Sequence, residues 1–268
     1  MRILVTNDDG VHAPGIRALA RALETVGDVT VVAPADQQSA IGHSITIFHP
    51  LTIEKLQNGK RTPVFSVSGT PADCVKLAVR EILKRTPDLV VSGINHGGNL
   101  GINVVYSGTV AGAVEASILG IPSMAVSLNT HGEARFEGYA RLVARWLKRH
   151  AAELLREVVA YNVNIPFLPP SRIKGILFTR QHPQPYADVF HRRVDPRGRT
   201  YFWLGADPVQ ASKTNGHVDD AADVLSDLEA VKQGYVSVTP LAVDRTHYSA
   251  LVKLRGQNGG GSKRRVRP

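Results

Sequence analysis

Short apolar runs alternate with helix-patterned segments from Arg2 to Ile165, and that alternation leaves few folds open. Arg2–Thr6, Asp28–Ala33, Asp88–Ser92, Ser123–Leu128 and Ala160–Ile165 are short, apolar and bounded by turn residues, so they read as buried strands. Between the first two, a segment from Pro14 to Val26 puts Ile16, Leu19, Ala20 and Leu23 on one helical face. Thr70-Pro71-Ala72-Asp73 supplies a cap, a first-turn proline and an acidic first turn for a helix reaching about Leu83. Thr109–Leu119 is a helix of small residues that can pack closely on a sheet. Phe136–Val158 carries Tyr139, Leu142, Val143, Trp146, Leu147 and Leu154 at near-helical spacing, a core or subunit-packing face. Strands separated by helices pair in parallel through crossovers, so the expected class is α/β with a doubly wound, mostly parallel sheet.

The rest of the chain reads less regularly. Ile45–Phe48, Leu51–Leu56 and Val64–Val67 are expected as short strands of a β insertion, and Ile173–Phe178 as a further strand. Tyr186–Arg193 and Arg199–Leu204 form two arms of a hairpin closed at Asp195-Pro196-Arg197-Gly198. Such a hairpin has little core of its own and is suited to pack on another subunit. Ser226-Asp227-Leu228-Glu229 is a capping box, and its helix ends at Gly234 ahead of strand Tyr235–Thr239.

The net charge of the 268 residues is +9, which raises the question of nucleic acid. Five of those charges, Arg255, Lys263, Arg264, Arg265 and Arg267, lie in the last 14 residues and leave +4 over the other 254. Residues 251–268, with their Gly-rich stretch, are read as a disordered, solubilising tail, and nucleic acid is not expected as a partner. No apolar stretch is long enough to span a membrane, and Met1 leads straight into a strand with no leader pattern. The lone cysteine, Cys74, forms no internal disulfide and suits a reducing cytoplasm.

Polar loops follow the buried strands. Asn7-Asp8-Asp9-Gly10 leaves the first strand, and two adjacent carboxylates at such an exit repel unless a cation lies between them. Pro34–Ser44 leaves the second and includes Ser39, Gly42 and His43. Ser92–Gly101 is rich in Gly and Asn and includes Asn95 and Asn99. Tyr106-Ser107-Gly108-Thr109 opens the small-residue helix, whose N-terminus offers amide and hydroxyl donors to a phosphate. Carboxylate, Asn and Ser oxygens suit Mg²⁺ or Mn²⁺, whereas no His or Cys cluster suggests Zn²⁺. No Gly-x-Gly-x-x-Gly follows the first strand, which argues against a dinucleotide.

Asn7-Asp8-Asp9-Gly10, Ala13-Pro14-Gly15-Ile16, Ser68–Val75, Ser92-Gly93-Ile94-Asn95, Gly98-Asn99-Leu100-Gly101 and Tyr106–Val110 resemble, in order, the signature blocks of the SurE family of stationary-phase survival proteins. Asn162–Pro166 and Gly234–Leu241 resemble its later blocks, so the likeness spans residues 1 to about 245. Asn103, at a position often acidic in the family, and Ala111-Gly112 and Ala116 depart from its pattern. The resemblance implies a Rossmann-like domain over residues 1–250, with a hairpin arm at about 181–216. It also implies an exchanged C-terminal segment at about 217–250, joining a homodimer or homotetramer. It implies a metal-dependent phosphatase of nucleoside 5′- and 3′-monophosphates, and of short polyphosphate, with one divalent cation per subunit.

The implied metal ligands are Asp8, Asp9, Ser39 and Asn95, with Asp8, Asp9 and Asn95 catalytic. Substrate contacts are expected from Asn7, Gly10, Gly42, His43, Asn99, Ser107, Gly108 and Thr109. Water attack with one carboxylate taking the proton is favoured over a covalent Asp8, because Asp-x-Asp spacing is missing. The rival reading is a metal-dependent nucleotide sensor or nucleic-acid binder without turnover.

Overall fold

A computed structural model describes residues 1–56, 62–130, 132–183, 187–207 and 223–257 of the chain. The expected hairpin residue Tyr186, the stretch 208–222 and the basic residues Lys263–Arg267 lie outside the described residues. One sheet of nine strands organises the protein. In chain order its strands are β1 (Arg2–Thr6), β2 (Asp28–Pro34), β3 (Ile53–Leu56), β4 (Val64–Val67) and β5 (Leu89–His96). They continue with β6 (Ser123–Asn129), β7 (Ala160–Pro166) and β8 (Ile176–Phe178), while β9 (Ala187–Val194) and β10 (Thr200–Asp207) form a separate antiparallel hairpin. Strand β11 (Val236–Leu241) completes the main sheet, whose spatial order is β3-β4-β2-β1-β5-β6-β7-β11-β8.

The central strands β4, β2, β1, β5, β6 and β7 all run parallel, as the strand–helix alternation predicts. Helices cover both faces. On one side α1 (Pro14–Leu23) packs on α4 (Glu137–Leu154) over Ile3, Val5, Val126 and Val163. On the other, α2 (Pro71–Leu77) packs on α3 (Gly108–Ile118) over Leu4, Val32 and Val90. Successive β1 residues therefore face opposite layers, which a strand continuous in apolar residues requires. Cys74 is wholly buried in the second layer.

The expected capping box at Ser226 is present, and the expected helix start at Thr70 is a capping box as well. Thr70 and Asp73 exchange side-chain and backbone bonds at the start of α2, which passes into a wider π turn at Ala78–Ile82. Ser226 and Glu229 do the same for α5 (Asp227–Lys232). The hairpin registers Thr200 against Val194, close to the predicted arms.

Three expectations change. Ile45–Phe48 is not a strand: the backbone N–H of Thr46 donates to the Asp73 carboxylate at 3.1 Å, and its hydroxyl donates there at 2.7 Å. A carboxylate thus takes the bonds that a sheet neighbour would have made. Strand β5 runs four residues beyond Ser92, through the segment read as loop. Finally α6 (Tyr248–Gln257) extends into the segment expected to be disordered from residue 251.

Candidate active site

The chain moves from β1 outward to β2 and β4, then returns to add β5 on the other side of β1. That reversal opens a crevice at the carboxyl ends of β1 and β5, where open α/β sheets bind ligands. Asp8 and Asp9 leave β1 there, and Asn95 lies at the end of β5.

Asn7 is fully buried, and its Nδ2 donates to the Gly10 carbonyl at 2.9 Å. This bond closes the turn, and Gly10, at φ +95°, supplies the left-handed corner that other residues resist. Asp8 is fixed from two directions. The Thr109 N–H donates to Oδ2 at 3.0 Å and the Thr109 hydroxyl donates to Oδ1. The Asp8 carbonyl accepts from the N–H of Gln38 at 2.7 Å, which fastens the Ser39 loop beside the acidic pair. Gly108 lets these parts meet, since a Cβ there would stand 2.9 Å from the Asp8 Cβ and 3.1 Å from the Gln38 carbonyl oxygen. Asp9 is half-buried, and its Oδ2 accepts from the His96 N–H at 3.2 Å.

Burial pushes the Asp8 carboxyl up to about 6, against the hydrogen bond from the Thr109 hydroxyl and with the charge of Asp9 adding to the rise. Burial also raises Asp9, against its bond from His96. Among the described residues, neither carboxylate forms an ion pair with Lys or Arg. Two desolvated acids without a Lys or Arg partner make a site that favours positive charge. Among the described residues, no group of three or more His, Cys, Asp or Glu gathers as a metal cluster. The donors gathered at this end of the sheet are two carboxylates and neutral oxygens, a set that fits a hard divalent cation.

Asn95 follows a β-bulge between Gly93 and Asn95, which re-aims it relative to the regular pleat. Its Nδ2 donates to the Gly97 carbonyl at 2.8 Å, an orientation in which Oδ1 could serve a cation. Ser39 is exposed, with Oγ accepting from Gln37 Nε2 at 2.8 Å. Ser107 caps α3 through a bond accepted from the Val110 N–H at 3.1 Å.

Other expected substrate contacts prove to be engaged within the protein. Thr109 spends its amide and hydroxyl on Asp8, so it orients a carboxylate where a phosphate contact was expected. Buried Asn99 donates from its backbone to Asn164 Oδ1 at 2.8 Å and from Nδ2 to Ser127 Oγ at 2.8 Å. Its carbonyl accepts from Asn162 at 2.7 Å and Asn164 at 3.1 Å, which anchors the loop. His43 Nε2 lies 2.8 Å from the Glu115 carboxylate, and the adjacent Gly42 N–H donates to the Tyr106 carbonyl at 2.9 Å.

Gln38, in the loop after the second strand, Asn162 and Asn164, in a family-like block, and Ser127 support the site without having been named as site residues from the sequence. Asn162 and Asn164 did carry a signal: they alternate with Val163 and Ile165 in a buried strand, where polar side chains need a specific partner.

The sequence profile described as Survival protein SurE matches residues 3–188. The chain belongs to the SurE family. It is 45% identical over 254 residues to the 5′-nucleotidase SurE of Syntrophobacter fumaroxidans, covering 95% of this chain and 98% of that protein. It is 46% identical over 263 residues to the 5′-nucleotidase SurE of Geobacter sulfurreducens, covering 95% and 93%. Its structure matches the crystal structure of the SurE protein from Aquifex aeolicus with a TM-score of 0.80 and 41% identity, over 97% of this chain and 100% of that one.

Proposed function

We propose that this SurE chain is a 5′-nucleotidase that hydrolyses nucleoside monophosphates with the help of a divalent cation, Mg²⁺ or Mn²⁺. The observation that carries the reading is the pair of desolvated carboxylates, Asp8 and Asp9, facing the N-terminus of α3 across a strand-order reversal. The named activity of relatives matched over nearly the whole chain supports it. Asp8, Asp9, Ser39 and Asn95 would hold the cation, which when bound neutralises phosphoryl charge and acidifies water. Ser107 and Gly108, at the helix start, favour the anionic phosphoryl group through the helix dipole. Asp9 is the better proton acceptor for the attacking water, because both Asp8 oxygens already accept from Thr109. We extend the reading to 3′-monophosphates and short polyphosphate as substrates. It further includes a single domain over 1–250, a homo-oligomer joined by the hairpin and C-terminal segment, and a cytoplasmic location. Among the described residues no helix is long and apolar enough to cross a membrane.

The test is phosphate release from a panel of nucleoside monophosphates in EDTA, Mg²⁺ or Mn²⁺, with Asp8→Asn alongside. The expected result is metal-dependent release that Asp8→Asn reduces by orders of magnitude. Nucleotide binding without release by either protein would replace the enzyme reading with a sensor.

A further inference from the structure

We propose that Asp227 is a positioning residue for the phosphate-binding turn, tying the root of the hairpin to the active site, a role that rests on the nucleotidase reading. Asp227 opens α5 and is fully buried, far along the chain from the acidic pair. Its Oδ2 accepts from the Gly101 N–H at 2.9 Å, and its Oδ1 from the His182 N–H at 3.0 Å and the Leu228 N–H at 2.7 Å. One carboxylate thus joins three backbone segments. The opposite side of Gly101 is held as well, since Gln181 Nε2 donates to its carbonyl at 2.8 Å. Gly101 has φ +55°, and a Cβ there would stand 3.3 Å from the His182 Cβ. No other residue fits this left-handed, crowded position as well as glycine.

Gly101 begins the 3-10 turn Gly101–Val105, which hands the chain to Ser107 and the first turn of α3. That turn carries Gly108 and Thr109, the residues packed on and bonded to Asp8. Gln181 and His182 lie just ahead of β9, where the hairpin leaves the domain. The place of the hairpin root is therefore set against the same carboxylate that sets the entry to the phosphate site. Hydrogen-bond partners that hold such a turn act on the rate more than on binding, because small displacements spoil alignment.

The experiment compares wild type with Asp227→Asn, which keeps the size but can no longer accept from both Gly101 and His182. Steady-state phosphate release from a nucleoside monophosphate should show kcat reduced about tenfold with KM within about twofold. Amide hydrogen exchange should speed up about tenfold at Gly101 while β1 amides stay unchanged. An unchanged kcat would overturn the proposal, as would unchanged exchange at Gly101. Equal acceleration throughout β1 would overturn it too, marking Asp227 as a general prop of the fold. If wild type releases no phosphate, the nucleotidase reading fails by itself, and the exchange at Gly101 still decides whether the clamp exists.

Discussion

Replacing Asp8 with Asn should make the metal-free protein more stable at neutral pH while removing its activity. The folded protein holds the Asp8 proton up to about pH 6, whereas the ordinary value is 3.8. Between those values the native state carries the extra proton, so stability falls as pH rises through the window and the deficit is complete above it. A rise of that size amounts to about 3 kcal/mol at neutral pH. Asn removes the charge but cannot accept from both the Thr109 amide and its hydroxyl, a loss of about 1–2 kcal/mol. The balance favours the variant by about 1–2 kcal/mol, or about 2–8 °C in Tm for a chain of this size. Thermal unfolding in EDTA at pH 7.5 and at pH 3.5 reads this directly. The variant should lead at the higher pH and lose its lead at the lower. Adding Mg²⁺ or Mn²⁺ should stabilise wild type and leave the variant unmoved. A variant less stable than wild type at pH 7.5 in EDTA would refute the argument that Asp8 is a buried, uncompensated charge.

Gly108→Ala should lower turnover about tenfold and stability by about 1–2 kcal/mol, because the added methyl meets the Asp8 Cβ at 2.9 Å; wild-type turnover would contradict that contact. Ser39→Ala should lose far less activity than Asp8→Asn, since water can replace a neutral oxygen ligand, and the kcat ratio of the two variants checks it. For Glu115, burial pushes the carboxyl up, but bonds from His43 and Lys76 outweigh it and hold the group below the usual glutamate range. The stability from that pairing is present above the usual glutamate pKa and is lost as pH falls through the depressed value. Lys76→Met should therefore move the acid-unfolding midpoint to higher pH, read by circular dichroism; an unmoved midpoint would show that His43 suffices alone.

The strands, crossover helices and capping boxes were legible because each is written in neighbouring residues. Thr70 reaches Asp73, and Ser226 reaches Glu229, within one helical turn. The acidic pair was legible for a similar reason, since two carboxylates at a strand exit demand a partner whatever the rest does. What the sequence did not reveal is which distant group takes each bond. Thr109 looked like a phosphate donor, yet its partner lies 101 residues away in Asp8. Asn99 looked like a ligand-facing loop residue, yet Asn162, Asn164 and Ser127 claim it. Ile45–Phe48 has strand composition, and only the fold reveals that Asp73 takes the bonds of Thr46. The bulge that lets β5 run on to His96 depends on Gly93 meeting β6, where a Cβ would stand 2.2 Å from the Val126 carbonyl oxygen.

The bond between Asp8 and Thr109 also sets an order of events during synthesis. At about 5–20 residues per second, the ribosome needs roughly 5–20 s to make the stretch that separates the two. Through that interval the acidic pair has emerged while its helix has not. The nascent chain therefore presents two hydrated carboxylates, and the desolvated pair forms only when β5 and α3 close over it. Site assembly therefore waits on a helix made long after the acidic pair it closes over.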